Sequence, residues 1–200
     1  MPEGPEIRRA ADRIAKVLVG QELEDVYFGQ AHLKQAKTQL IGATVVRVVP
    51  KGKAIVTECS NGLTLYTHNQ LYGVWRIAKR GELAKTNRTL RVGLHTQSHS
   101  ALLYSASNIA LLDPPGVAAH PYLKKLGPDA LDLNVEWRDI VSQLMQVRFR
   151  GRSLGALYLD QAFVAGIGNY LRSEILHVAG RHPQQRPVDL SRGELGLLAR

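Results

Sequence analysis

A chain that begins Met1-Pro2 presents proline as its first residue once the methionine is trimmed, as normally happens before a small second residue. The freed amine would be secondary, with a pKa of about 7.7–8.0 against roughly 10.4 for a lysine, so a usable neutral fraction exists at physiological pH. Such an amine can attack an aldehyde-like sugar carbon. It gives a charged iminium directly, and that cation is the electron sink needed to release a leaving group. Glu3 and Glu6 follow within one helical turn. Acidic residues there ordinarily serve the helix macrodipole; beside a nucleophile, one of them could instead protonate a departing base or sugar ring oxygen. The two demands conflict. A helix N-terminus lowers a carboxyl pKa while an acid must hold its proton, so burial against substrate would have to raise it.

Three other stretches carry groups suited to a nucleic acid. Pro50-Lys51-Gly52-Lys53-Ala54 joins two strands in a tight turn with two cations, where Gly52 lets another backbone come close. It reads either as a solvated hairpin or as a phosphate contact in which lysine acts as a point charge. His68-Asn69-Gln70-Leu71-Tyr72-Gly73 breaks the strand pattern with a polar, apolar and aromatic mixture. Leu71 and Tyr72 could pack on the core. Alternatively, a wedge that replaces an extruded base would use Leu71 to fill the gap, Tyr72 to stack and Gln70 to hydrogen-bond the orphaned partner base. Val164-Ala165-Gly166-Ile167-Gly168-Asn169-Tyr170 connects two helical segments. Its paired glycines, Gly168 at the helix start, would let backbone N–H groups face a phosphate, with Asn169 and Arg172 as further donors; a Gly-x-Gly turn is also an ordinary helix connection.

Two kinds of structure must position these groups. Residues 3–19 read as a helix, because Ile7, Ala10, Ala11, Ile14 and Leu18 recur at helical spacing and Gly20 ends the run. From about 23 to 112 the period shortens to that of strands, predicted at 23–28, 44–49, 54–59, 63–68, 74–78, 89–96 and 101–105, with a hairpin signal at Ser60-Asn61-Gly62. Seven short strands imply a β-sandwich or barrel. Beyond residue 125 helical periodicity returns at 135–147, 154–163, 169–178 and 190–200. The expected fold class is therefore α+β: a β-sandwich with a leading helix over 1–125, then an all-α domain over 126–200. Ser191 is a candidate N-cap for the last helix. Leu195, Leu197 and Leu198 are still in phase where that helix runs to Arg200, so they are expected to be poorly covered.

With 44% apolar residues in 22.1 kDa, the chain can build one large core or two small ones. No apolar run nears the length of a membrane span, and the N-terminus lacks the features of a signal peptide. Cys59 is the single cysteine, so the chain can form no internal disulfide and no Cys₄ or Cys₂His₂ zinc site. A cytoplasmic setting without membrane contact is expected. Residues 1–125 hold 17 basic and nine acidic side chains, whereas 126–200 hold nine and eight. An excess confined to one part points to a polyanion, nucleic acid first; the plain alternative is a protein that merely happens to be basic.

Taken together, Pro-Glu-Gly-Pro-Glu at the start, the Lys-Gly-Lys turn, Asn-Gln-Leu-Tyr-Gly-Val-Trp-Arg (69–76), Leu-Gly-Pro-Asp (126–129) and Leu-Asp-Gln-Ala-Phe-Val-Ala-Gly-Ile-Gly-Asn-Tyr-Leu-Arg (159–172) resemble the bacterial endonuclease VIII branch of the formamidopyrimidine-DNA glycosylase superfamily. The likeness is collinear over the whole chain, and the Gln70-Leu71-Tyr72 loop favours this branch over the purine-directed one. The resemblance implies a helix–two-turns–helix in the second domain and a base-excision-repair enzyme that removes oxidised pyrimidines and nicks the backbone by β- and δ-elimination. By matched position it makes Pro2 the nucleophile, Glu3 the proton donor, Glu6 a site carboxylate and Lys53 the cation supporting the reacting nucleotide. Asn169 would bind phosphate near the lesion, and Gln70, Leu71 and Tyr72 would fill the void. The implied partner is double-stranded DNA containing oxidised pyrimidines or abasic sites, bound by a monomer in the bacterial cytoplasm. Relatives continue into a zinc finger, so the resemblance also implies a C-terminally truncated form with no metal cofactor of its own. A catalytically weak damaged-DNA-binding protein is the alternative.

Overall fold

The computed structural model describes residues 1–82 and 85–200. Helix α1 (Gly4–Leu18) opens the chain with Ile7, Ala10, Ala11, Ile14 and Leu18 on one buried face. Each large aliphatic on that face contributes about 1.5–3 kcal/mol by leaving water. Gly20, at φ +77°, takes the left-handed conformation that ends the helix without a side-chain penalty.

Eight strands follow among the described residues: β1 (Asp25–Phe28), β2 (Val45–Lys51), β3 (Ala54–Cys59), β4 (Thr64–His68), β5 (Val74–Lys79), β6 (Leu90–His95), β7 (His99–Tyr104) and β8 (Asn108–Leu112). They form two four-stranded antiparallel sheets, in the orders β1-β6-β7-β5 and β2-β3-β4-β8. One core serves both sheets and α1: Phe28, Val92 and Leu103 come from the first, Ile55, Leu65 and Ile109 from the second. The second sheet is covered on its other face too, where Ala54, Val56 and Tyr66 meet Tyr122 and Leu123. With both faces covered, β3 and β4 are buried without alternation over 54–57 and 64–67, polar Thr57, Thr64 and Thr67 included.

Strand β8 is absent from the seven predicted. Asn108-Ile109-Ala110-Leu111-Leu112 shows no alternation and runs straight into Asp113-Pro114-Pro115; it is a strand because the open edge of β4 pairs with it from Thr64↔Leu112 to His68↔Asn108. The same prolines begin helix α2 (Pro114–Ala119), where Asp113 is the N-cap and its carboxylate accepts the N–H of Gly116 at 2.7 Å. A stretch of 3₁₀ helix at Ala31–Gln39 was likewise unpredicted, since only Leu33 of it is buried.

The chain forms two compact units, one of Met1–Pro2 with Glu6–Leu123, the other of Glu3–Pro5 with Lys124–Arg200. In the second, the helix predicted at 135–147 is α3 (Trp137–Met145), stopped where Gln146 turns extended, and a short α4 (Val147–Arg150) follows. The helix predicted at 154–163 shrinks to α5 (Leu154–Leu157). Asp160 turns the chain there, accepting the Ala162 N–H at 2.9 Å and pairing with Arg152 at 2.6 Å, so the apolar spacing of Leu157, Tyr158 and Phe163 belongs to a buried turn. Helix α6 (Asn169–Val178) keeps its predicted bounds. Helix α7 (Arg192–Ala199) starts at a capping box of Ser191 and Glu194. Leu195 and Leu198 are buried against the helical core and only Leu197 is exposed, which corrects the expectation that all three lie uncovered. No helix among the described residues is long and apolar enough to cross a membrane.

Candidate functional site

The Lys-Gly-Lys stretch is a two-residue hairpin: Lys51 pairs with Ala54, leaving Gly52 and Lys53 as the turn. Gly52 sits at φ +60°, the position where such turns demand glycine. Lys53 is only 6% exposed, which rules out the solvated-hairpin reading for this cation, whereas Lys51 is exposed. The Lys53 backbone N–H donates to the Tyr122 hydroxyl at 2.8 Å. Tyr122 in turn stands edge-on to His68 (5.3 Å between centroids) and near Tyr66, itself 4.1 Å from the His120 ring. Burial, and secondarily the Lys53 charge, hold the His68 imidazole below its ordinary pKa. Burial likewise pushes the Tyr66 phenol far above its usual range. The Lys53 turn is thus tied through its backbone to a cluster of aromatic rings.

The stretch 69–73 links β4 to β5 as a tied loop with exposed tips. Leu71 is 58% and Tyr72 67% exposed, so neither packs on the core. The backbone beneath them is fixed: Gly73 donates to the Asn69 carbonyl at 2.7 Å, and a Cβ at Gly73 would lie 2.3 Å from that oxygen. Gln70 sits at φ +54°, its N–H donating to His68 Nδ1 at 3.0 Å, and Arg88 donates to the Tyr72 carbonyl. Exposed apolar tips on a pinned backbone are what insertion between bases requires.

Glu3 is 4% exposed. Its carboxylate accepts backbone N–H groups at the start of α6: Gly168 at 2.8 Å, Tyr170 at 3.1 Å and Leu171 at 3.2 Å. A Cβ on Gly168 would stand 2.3 Å from Glu3 Oε1, so this glycine is needed for space, not for backbone freedom. Gly166, at φ +91°, is needed for its conformation. Its carbonyl accepts the Gly4 N–H at 2.8 Å, and its own N–H donates to Gln161 Oε1 at 3.0 Å, while Gln161 Nε2 donates to the Ile167 carbonyl at 2.9 Å. The Gly-x-Gly turn is therefore a socket for the N-terminal segment. This alters the reading of these N–H groups as a phosphate nest, because those of Gly168, Tyr170 and Leu171 already face a carboxylate. Asn169 is exposed on the first turn of α6, and Arg172 is half-buried. Pro2 and Glu6 are half-buried, Glu6 accepting from Arg9 at 2.9 Å. While Met1 is attached, the Pro2 nitrogen is an amide and cannot act as a nucleophile.

Two contributors are absent from the sequence analysis. Tyr122 lies outside every element predicted there. Gln161 lies inside the 159–172 run, where a polar residue two positions before an apolar turn is the available signal. A zinc finger needs four cysteine or histidine ligands. Cys59 is buried, its thiol pushed up to about 11, and no group of three or more metal-binding side chains occurs among the described residues, so these residues do not fit that metal.

The profile of the formamidopyrimidine-DNA glycosylase N-terminal domain matches residues 1–108. Endonuclease 8 of Salmonella agona (strain SL483) is 49% identical over 199 residues, covering 100% of this chain and 76% of the relative. Endonuclease 8 of Salmonella paratyphi A (strain ATCC 9150 / SARB42) is 48% identical with the same coverage. Among solved structures, Lactococcus lactis Fpg (MutM) bound to a DNA containing N7-benzyl-Fapy-dG superposes with a TM-score of 0.82 at 21% identity, over 99% of this chain and 75% of that one. The same protein with a DNA containing an oxidised pyrimidine gives a TM-score of 0.82 over 99% and 76%. Near-half identity across the full chain, together with this fold, makes the chain a member of the formamidopyrimidine-DNA glycosylase family, on its endonuclease 8 side.

Proposed function

We propose that the chain excises oxidised pyrimidines from double-stranded DNA and cleaves the resulting abasic site by β- and δ-elimination, with Pro2 as the nucleophile. As a family member it is a bifunctional base-excision-repair DNA glycosylase and abasic-site lyase; the lesion class and the residue roles extend that. Once Met1 is removed, the Pro2 amine attacks C1′ of the damaged nucleotide. The base leaves with the glycosidic electron pair and a proton, the C1′–O4′ bond opens with Glu3 protonating O4′, and an iminium joins Pro2 to C1′. The cation draws electrons from C2′–H; loss of that proton expels the 3′ phosphate, and a second elimination expels the 5′ phosphate.

The observation that carries this reading is the Glu3 clamp. The residue one peptide bond from the proposed nucleophile is buried, and its carboxylate accepts backbone N–H groups of Gly168, Tyr170 and Leu171, which holds Glu3 itself in one place. Glu6 is the second carboxylate. Lys53 is the cation for the reacting nucleotide, and Asn169 and Arg172 bind DNA phosphate. Gly168 contributes by admitting Glu3. Gln70, Leu71 and Tyr72 occupy the space of the extruded base, whose removal from the stack costs a few kcal/mol. The protein acts as a monomer in the bacterial cytoplasm.

Incubation with abasic-site duplex and sodium borohydride tests the reading. The expected result is a covalent adduct mapped by mass spectrometry to the N-terminal peptide, and none when Met1 is retained. Equal trapping with Met1 demonstrably in place would remove Pro2 from the mechanism.

A further inference from the structure

Two links pass from one sheet to the other at the same end of the sandwich: 69–73 from β4 to β5, and 105–107 from β7 to β8. The register sets them side by side, because His68 lies opposite Asn108 and Val74 opposite Tyr104. Each bends through a non-glycine residue in the left-handed region, Gln70 at φ +54° and Ser105 at φ +56°. Such residues persist only where surrounding groups hold them. The Gln70 backbone N–H donates to His68 Nδ1 at 3.0 Å, and the second link meets its side chain: the Ser107 hydroxyl donates to Gln70 Oε1 at 2.6 Å, and Gln30 Nε2 donates to the Ser107 carbonyl at 2.6 Å.

We propose that Ser107 is the positioning residue that sets preference for the base opposite the lesion, by turning the Gln70 amide so that its NH₂ group faces outward. The inference rests on the reading above that Gln70 meets the orphaned base. A primary amide offers an acceptor on one side and two donors on the other, and a free glutamine can present either. With its oxygen turned to Ser107, Gln70 presents its NH₂ group outward. The pairing edge of adenine has an acceptor at its centre, N1, and that of cytosine has N3 and O2. Guanine presents two donors there, N1–H and N2–H, and a single acceptor, O6, at one side. An outward NH₂ group therefore matches the centre of the adenine or cytosine edge, whereas at the centre of the guanine edge it meets the N1–H donor.

The test places thymine glycol opposite adenine or guanine in one duplex sequence and measures single-turnover excision. A parallel equilibrium-binding series uses a tetrahydrofuran abasic analogue opposite the same bases, so the preference is read with and without chemistry. One matched hydrogen bond predicts a preference for adenine over guanine of about fivefold in both series. Ser107→Ala should bring the ratio to about one, chiefly by improving the guanine duplex, with the melting temperature unchanged because the contact is exposed. Ser107→Thr, which keeps the hydroxyl, should restore the ratio, and Gln70→Ala should erase it in either background. An unchanged ratio in Ser107→Ala overturns the proposal while leaving the enzymatic reading intact. A binding ratio that shifts as stated in a chain showing neither excision nor a borohydride adduct supports the proposal and overturns the enzymatic reading instead.

Discussion

The loop at 69–73 and the Glu3 junction with α6 solve opposite problems. In the loop the side chains proposed to fill the void, Leu71 and Tyr72, are exposed while the backbone beneath them is tied down. At the junction the proposed proton donor, Glu3, is itself the tie: it is buried and satisfies a helix terminus that would otherwise have orphan donors. On the proposed roles, function and stability are separable in the loop and fused at the junction. Substitutions at the two places should differ in kind, not only in size.

The largest effect is expected at the junction. Glu3→Ala leaves N–H groups of Gly168, Tyr170 and Leu171 without their acceptor, which costs about 1–3 kcal/mol of stability, and removes the proton donor as well. Glu3→Gln keeps one acceptor oxygen and should recover part of the stability while base excision stays reduced by about 10²–10⁴-fold. Urea denaturation beside single-turnover excision checks both. If Glu3→Gln excises normally, the carboxylate is only a cap.

Lys53→Leu is next. Loss of a charged contact to the reacting nucleotide should slow lesion processing by about tenfold or more. The slope of log affinity against log salt should fall by about 0.9, the value of one duplex phosphate contact. Equal losses in processing and in undamaged-DNA binding would demote Lys53 to an ordinary backbone contact. Leu71→Ala should leave stability within about 0.5 kcal/mol, as for other exposed positions, weaken excision of a base from intact duplex, and spare cleavage of a pre-formed abasic site. A drop in melting temperature with parallel loss of both activities would mean that Leu71 is structural and the contrast between loop and junction fails.

The smallest effect concerns His68. Its pKa is lowered in the fold by burial and by Lys53, so the unfolded chain takes up the proton first as pH falls below the ordinary value of 6.5. Its contribution to stability is thus intact above pH 6.5 and declines as pH drops from there toward the lower folded value. A proton on Nδ1 would also displace the Gln70 N–H. His68→Asn should flatten the acid limb of melting temperature against pH, though His95 and His120, shifted the same way, keep part of it. An unaltered acid limb would show that His68 does not stay neutral to hold the loop.

The chemistry was readable where it depends on residue type and near neighbours. The Met-Pro start and the two carboxylates after it are local signals for the proposed chemistry, and the glycine of the Lys53 turn and the amphipathic face of α1 are local signals for a turn and a helix that both exist. The helix predicted at 154–163 misled for a related reason, since apolar spacing reports burial and a buried turn held by Asp160 produces the same spacing as a helix. The exposure of Leu71 and the burial of Lys53 were undecidable from the sequence, where both alternatives had the same composition.

The sequence by itself determined which groups are present, most of the helices and strands, and the family motifs, because propensity, periodicity and turn chemistry act over a few residues. Only the tertiary structure decided what those groups touch. Glu3 reaches a helix 165 residues away, Tyr122 underlies the Lys53 turn 69 residues away, β8 completes a sheet without a pattern of its own, and Ser107 steadies Gln70 across 37 residues. Contacts at such separations are set by how sheets pair and cores close, which no local period encodes.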